Sequence, residues 1–144
     1  MVNDVMACFP FLSLSNFLGS CIQKQCGVKY EDMGVMSAYR AQVKLLAMKI
    51  PTQVEVNTID QYQGRDKDLV IISTAKQSGR NNGDIWCDHR RLTVAVTRAK
   101  KKLIMLGNAK HLQDVPPFAK LFKSLDEVHV IHLESSQLGD LPSI

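Results

Sequence analysis

The sequence predicts an α/β layered domain with a mainly parallel sheet, on two observations. Short apolar runs at residues 33–37, 69–72 and 103–106 read as strand interiors, the second so continuous that it suits a strand buried on both faces. Segments with helical spacing alternate with these runs, which is the pattern of strands joined by helices rather than by hairpins.

In chain order, residues 1–12 carry Pro10 inside an apolar patch and read as a loop or a broken end. From Ser13 the pattern turns helical, with Leu14, Phe17, Leu18, Cys21 and Ile22 at spacings of three and four, Ser13 or Ser15 as cap and Gly27 suited to the left-handed position after the helix. Residues 29–32 form a polar turn and 33–37 a strand. A helix then runs from Tyr39 and Arg40 through Lys49, with Val43, Leu45, Leu46 and Ile50 apolar, until Pro51 stops it. Residues 53–58 alternate Val54 and Val56 with Glu55 and Asn57, a strand with one polar side. After a polar turn over 60–66 comes the strand at 69–72, and residues 76–84, rich in Gly and Asn, make a loop. Asp88 can cap a helix that carries Arg91, Val94 and Arg98 on one face and Leu92, Ala95, Val96 and Ala99 on the next. That helix runs into the strand at 103–106. Pro116 and Pro117 open a helix to about residue 125, a last strand covers 128–133, and residues 135–144 are a frayed tail.

Bulk properties narrow the function. The chain has 144 residues, 45% hydrophobic and 22% charged, which is one domain's length and an ordinary globular composition rather than a disordered one. The net charge of +4 is concentrated between Arg90 and Lys102, which favours an anionic partner such as nucleotide or nucleic acid. Cys8, Cys21, Cys26 and Cys87 form no CxxC pair, so free buried thiols in a reducing compartment are expected rather than disulfides or zinc. The first residues lack the basic start of a signal peptide, and no apolar run reaches roughly 18 residues, so an intracellular protein without a membrane span is expected.

Ligands of parallel α/β sheets sit at the carboxyl ends of the strands. Three regions are expected there: residues 37–40, residues 58–66 and, through its helix, the arginine segment. Gln63, Gly64, Arg65 and Asp66 are either a solvated turn or a site in which Gly64 admits a close backbone approach, Asp66 accepts from ribose hydroxyls and Arg65 pairs with an anion or carboxylate. Arg98 is either a surface arginine paired with Asp66 or Asp88, or a rigid fork for a phosphate. Tyr39 either covers the helix after it or stacks on a base. Lys100, Lys101 and Lys102 read as a solvated face, and Trp86 and His89 as structural. No GxxxxGK[ST] loop occurs, so the chain cannot cradle a triphosphate alone in the usual way.

Residues 56–67, VNTIDQYQGRDK, resemble motif V of superfamily 1 helicases, residues 90–100, RRLTVAVTRAK, resemble motif VI, and residues 34–43, GVMSAYRAQV, resemble motif IV. The order and spacing match, and within the superfamily the wording is most similar to the eukaryotic DNA replication helicase/nucleases. The related RNA helicases of nonsense-mediated decay and transcription termination tend to carry Glu where this chain has Asp66.

The resemblance implies a second RecA-like domain (a P-loop NTPase second domain, with helices on both faces of a parallel sheet) over residues 13–134, belonging to an ATP-dependent 5′–3′ DNA helicase/nuclease. ATP with Mg²⁺ would lie between it and a first RecA-like domain in cis, and any iron–sulfur cluster would belong to a nuclease region elsewhere. Arg98 would be the arginine finger, Arg91 its support, and Gln63, Gly64, Arg65 and Asp66 would approach the nucleotide. At the other end of the same surface, Ser37, Tyr39, Arg40 and Thr58 would meet single-stranded DNA. No metal site is expected. Replication and repair proteins are expected partners, with the nucleus as compartment and the mitochondrion as a second one.

The chain departs from the family by having Ser37-Ala38 where Thr-Pro or Ala-Pro is usual, and it lacks the Walker A lysine and Walker B acids. A C-terminal piece of a larger enzyme, inert by itself, is therefore the expectation. A non-catalytic binding module and the equivalent domain of an RNA helicase are the alternatives.

Overall fold

The computed structural model describes residues 27–74, 85–107 and 112–124 in full and residues 3–8 and 130–132 as backbone. Six strands are seen there: β1 (Asn3–Cys8), β2 (Met33–Ser37), β3 (Glu55–Thr58), β4 (Lys67–Ser73), β5 (Ala99–Leu106) and β6 (Val130–His132). They form one sheet in the order β3-β2-β4-β5-β1-β6. Every pairing is parallel. The helices are α1 (Arg40–Ala47), α2 (His89–Val96) and α3 (Pro116–Ser124). None among the described residues is long and apolar enough to cross a membrane.

A parallel sheet needs cover on both faces, and β4 supplies an apolar residue to each. Leu69, Val70, Ile71 and Ile72 are all 0% exposed. Val70 and Ile72 join Met36, Leu103 and Met105 on the face covered by α2, by α3 and by the 3₁₀ turn Ile85–Cys87. Leu69 and Ile71 join Met33, Val35 and Ile104 on the face covered by Leu46 of α1 and by Ile50 just beyond that helix. On the α2 side Trp86 meets Phe118 edge to face, ring centroids 5.5 Å apart at 72°.

The connection from β3 to β4 is unusually short. Parallel strands normally need a dozen or more residues between them, whereas residues 59–66 suffice here because they step over β2 alone. Ile59 and Tyr62 anchor the segment to the α2 face. The two connections share one hand, as the handedness rule for parallel strands requires, since α1 carries the preceding, oppositely directed connection on the other face. Tyr62 lies directly on β2, 0% exposed, and its hydroxyl donates to the Glu55 carbonyl at 2.8 Å. Gly34 leaves the room for that ring. A Cβ at Gly34 would collide with the Tyr62 hydroxyl and come within 2.9 Å of its Cζ. Burial first, and the nearby Glu55 charge second, push the Tyr62 phenol well above its ordinary pKa.

Immediately afterwards the chain reverses in a type II turn. Gln63 has φ −57° and ψ 124°, Gly64 has φ +80°, and Arg65 N–H donates to the Tyr62 carbonyl at 3.0 Å. The positive φ of Gly64 is itself a reason for glycine at this position.

Several sequence expectations are corrected. Residues 3–8, expected to be loop or broken end, are strand β1 between β5 and β6, because pairing on two sides can hold a strand whose own pattern is weak. β5 begins at Ala99, earlier than its apolar run, with Lys100 and Lys101 facing solvent. Cys87, expected to be buried, is an exposed free thiol. The predicted helix after Ser13, the loop at 76–84 and the tail at 135–144 lie outside the described residues.

The Tyr62–Gly34 contact makes a prediction. Gly34→Ala in this chain should cost about 1–3 kcal/mol in urea unfolding, as overpacking of a filled site does. An unchanged midpoint would mean that the ring can slide aside and that the close approach does not constrain the crossover.

Candidate ATPase and strand-binding edges of the sheet

Because all strands point the same way, the sheet has two chemically distinct edges. Ser37, Thr58 and Ser73 share one register at the carboxyl edge. Lys67 and Ala99 share another at the amino edge. The crossover 59–66 and helix α2 both run from the carboxyl edge back to the amino edge, side by side on one face.

Two ion pairs connect them. Near the carboxyl end Arg91 Nε lies 3.3 Å from Asp60 Oδ1. At the amino end Arg98 reaches Asp66 Oδ1 at 2.9 Å. Asp88 caps α2 by accepting from Arg90 N–H at 2.9 Å, and the helix stops at Val96, so Arg98 sits in the turn just beyond. There its guanidinium is held from several sides. Nε donates to the Val94 carbonyl at 3.2 Å and one terminal nitrogen to Thr97 Oγ1 at 3.4 Å. Its own carbonyl accepts from Lys67 N–H at 3.0 Å, which joins the turn to the start of β4.

Around this corner Glu55 gathers two cations. It pairs with Arg65 and, at 3.3 Å, with Lys67, whose ammonium also donates to the Glu31 carbonyl at 2.8 Å. Burial pushes the Glu55 carboxyl up, but the hydrogen bonds and charges of Arg65 and Lys67 outweigh that and hold it below the usual glutamate value. Lys101 pairs with Asp68 at 2.7 Å, which raises the ammonium's pKa.

The carboxyl edge is polar inside rather than outside. Ser37 is 0% exposed; its hydroxyl donates to Gln42 of α1, whose amide in turn donates to Ser73 Oγ at 2.6 Å. Ser37 Oγ also accepts from Tyr39 N–H at 3.3 Å, fixing the entry to the helix. Thr58 is buried too, its N–H and hydroxyl both directed at Gln61 Oε1. Thr74 closes the row, its hydroxyl donating to the Leu106 carbonyl at 3.0 Å. Arg40 opens α1 and is exposed, and Tyr39 beside it is half-buried.

The structure therefore sorts the predicted residues into two groups. Gln63, Gly64, Arg65, Asp66 and Arg98 meet at the amino edge, and Ser37, Tyr39, Arg40 and Thr58 lie at the carboxyl edge. The expectation that residues 58–66 and the arginine segment both lie at the carboxyl ends is corrected for Gln63–Asp66 and for Arg98, since a connection feeding a parallel strand must deliver its last residues to that strand's start. Arg91 and Arg98 are also separated, by about 10 Å along the helix axis at 1.5 Å per residue. Of the two pairings open to Arg98, Asp66 is the one formed. The sequence reading missed Gln42 and Glu55. A glutamine among the inward positions of a short helix is the signal for the first, and only the fold brings Glu55 beside Arg65.

A family model described as an AAA domain matches residues 13–110. The chain belongs to the AAA domain family. This AAA domain is 44% identical over 133 residues to the DNA replication ATP-dependent helicase/nuclease DNA2 of Homo sapiens, covering 88% of this chain and 12% of that protein. The DNA2 of Saccharomyces cerevisiae is 42% identical over 106 residues, 70% of this chain and 7% of the relative. The AAA domain thus spans a small part of the curated relatives it matches. Among solved structures, the C-terminal domain of a possible DNA helicase from Lactobacillus plantarum shares the fold, with a TM-score of 0.61 at 13% identity, covering 92% of this chain and 86% of that one. The fold is RecA-like.

Glu55 supplies a pH prediction. Its folded pKa is depressed, so its contribution to stability is complete above the unfolded carboxylate value and is lost as pH falls through the folded one. The stability difference between this AAA domain and its Glu55→Gln variant should hold constant from neutrality down to about pH 5 and shrink below about pH 4. A difference that grows on acidification would contradict the charge assignment.

Proposed function

We propose that this domain is the second motor domain of an ATP-dependent DNA helicase/nuclease of DNA replication and repair, with Arg98 as its arginine finger. The observation that carries the reading is Arg98 itself: a guanidinium held at an edge of the sheet, aimed by Val94 and Thr97, with a half-exposed carboxylate as its counter-charge. The names of the relatives supply the substrate class, DNA, and the energy source, ATP.

The residues present fit an anionic nucleotide. Arg98 offers donors at this corner, which suits phosphate oxygens, and Arg65, paired with Glu55, adds positive charge beside it. On this reading Mg²⁺ accompanies the ATP in the cleft shared with the first motor domain. ATP bound there supplies the phosphoanhydride bond whose cleavage drives the cycle.

On this domain Arg98 presents its fork to charge that grows on transfer, Arg91 holds α2 against the crossover through Asp60, and Gln63, Gly64, Arg65 and Asp66 shape the pocket wall. At the carboxyl edge, Arg40 offers its charge to the phosphates of a single strand and Tyr39 its ring to a base. Ser37 and Thr58, being buried, act by fixing the loops that make the contact. Work in the nucleus follows from this reading.

In the enzyme that joins this domain to a Walker-bearing first domain, Arg98→Ala should lower strand-stimulated ATP turnover by roughly a thousandfold or more while leaving ATP binding nearly intact. Unchanged turnover would sink the assignment. Arg40→Ala should weaken single-strand binding across sequences and reduce the salt slope by about 0.7. A slope identical to wild type would remove Arg40 from the interface.

A further inference from the structure

Asp66 has a place at the amino edge that its expected role as a ribose acceptor does not explain. Its carboxylate is not turned outward alone: Oδ1 meets an Arg98 terminal nitrogen at 2.9 Å. The contact is built into the sheet, since Lys67 N–H, one residue along, donates to the Arg98 carbonyl, and Lys67 and Ala99 are partners in the β4–β5 register. The neighbouring cations are committed elsewhere, Arg65 and Lys67 to Glu55. The type II turn with Gly64 at its second corner brings Asp66 to this position.

We infer that Asp66 is a positioning residue for Arg98: its carboxylate holds the guanidinium in the firing direction and yields to an incoming phosphate. Carboxylate and phosphate offer the same paired oxygens to the same planar fork, so one can replace the other without moving it. The two remaining contacts of the guanidinium, to the Val94 carbonyl and Thr97 Oγ1, stay in place during that exchange and keep the plane of the fork. Asp66 is 47% exposed and Arg98 21%, so the pair opens toward solvent on the carboxylate side, where an anion arrives. A surface ion pair of this exposure adds little stability, and its effect is on direction. The inference rests on the reading of Arg98 as the finger.

The test compares Asp66→Asn and Asp66→Glu in the ATP-hydrolysing enzyme, and follows the Arg98 Nε–H resonance in this chain. If Asp66 aims the finger, Asp66→Asn lowers kcat by roughly tenfold to a hundredfold, as misplacement of a catalytic group does, with KM for ATP unchanged or lower because a competitor for the fork is gone. Asp66→Glu, which keeps the charge, recovers most of that loss. In the chain alone, the Arg98 resonance should shift in Asp66→Asn, and in the unsubstituted chain on titration with inorganic phosphate. Unchanged kcat, a raised KM such as loss of a direct nucleotide contact gives, or an unmoved Arg98 resonance would each overturn the inference. The two readings fail separately. Full turnover in Arg98→Ala removes the finger itself, whereas an inactive Arg98→Ala beside a fully active Asp66→Asn removes only the role of Asp66.

Discussion

The contact between Tyr62 and the bare backbone of Gly34 is the constraint on which the site depends. A parallel strand connection of this length can cross β2 only by lying flat on it, and it lies flat only where the strand beneath has no side chain. Once it does, Asp60 falls at one end of α2 and Asp66 at the other, each beside an arginine. Displacing the ring would shift both acids together. The site's charges are therefore set by a packing event rather than by attraction between them.

That order of causes agrees with the magnitudes. Exposed ion pairs contribute little to stability, and Arg91–Asp60 and Arg98–Asp66 are half-open to water. Burial of the β4 and β5 interiors and of Tyr62, Trp86 and Phe118 holds the fold. The pairs gain from that rigidity a defined direction, which is what a phosphate-directed arginine needs and what a flexible side chain in water lacks.

At the opposite edge, desolvation governs. Ser37, Gln42, Ser73 and Thr74 are polar and buried, so each must find a partner or carry a penalty of a few kcal/mol. Ser37, Gln42 and Ser73 find one another, Thr74 finds the Leu106 carbonyl, and together they fix the start of α1 and the ends of β2 and β4. A loop so anchored can present Arg40 and Tyr39 in one orientation. The polar residues beneath thereby serve the surface without belonging to it.

What the sequence determined by itself is local. The apolar run at 69–72, the cap Asp88, the glycine turn at 64 and the helices opened by Arg40 and Pro116 are decided by neighbours within a few residues, and all are legible without a fold. So was the choice of partners open to Arg98, though not which one it takes. Tertiary structure decided the rest. Strand β1 exists because two strands flank it, Glu55 meets Arg65 across a crossover, and Arg98 stands at the amino edge because a parallel sheet returns every helix to the start of the next strand. Those facts depend on groups far apart in the chain, and local pattern carries no information about which distant backbone will supply a hydrogen bond or a charge.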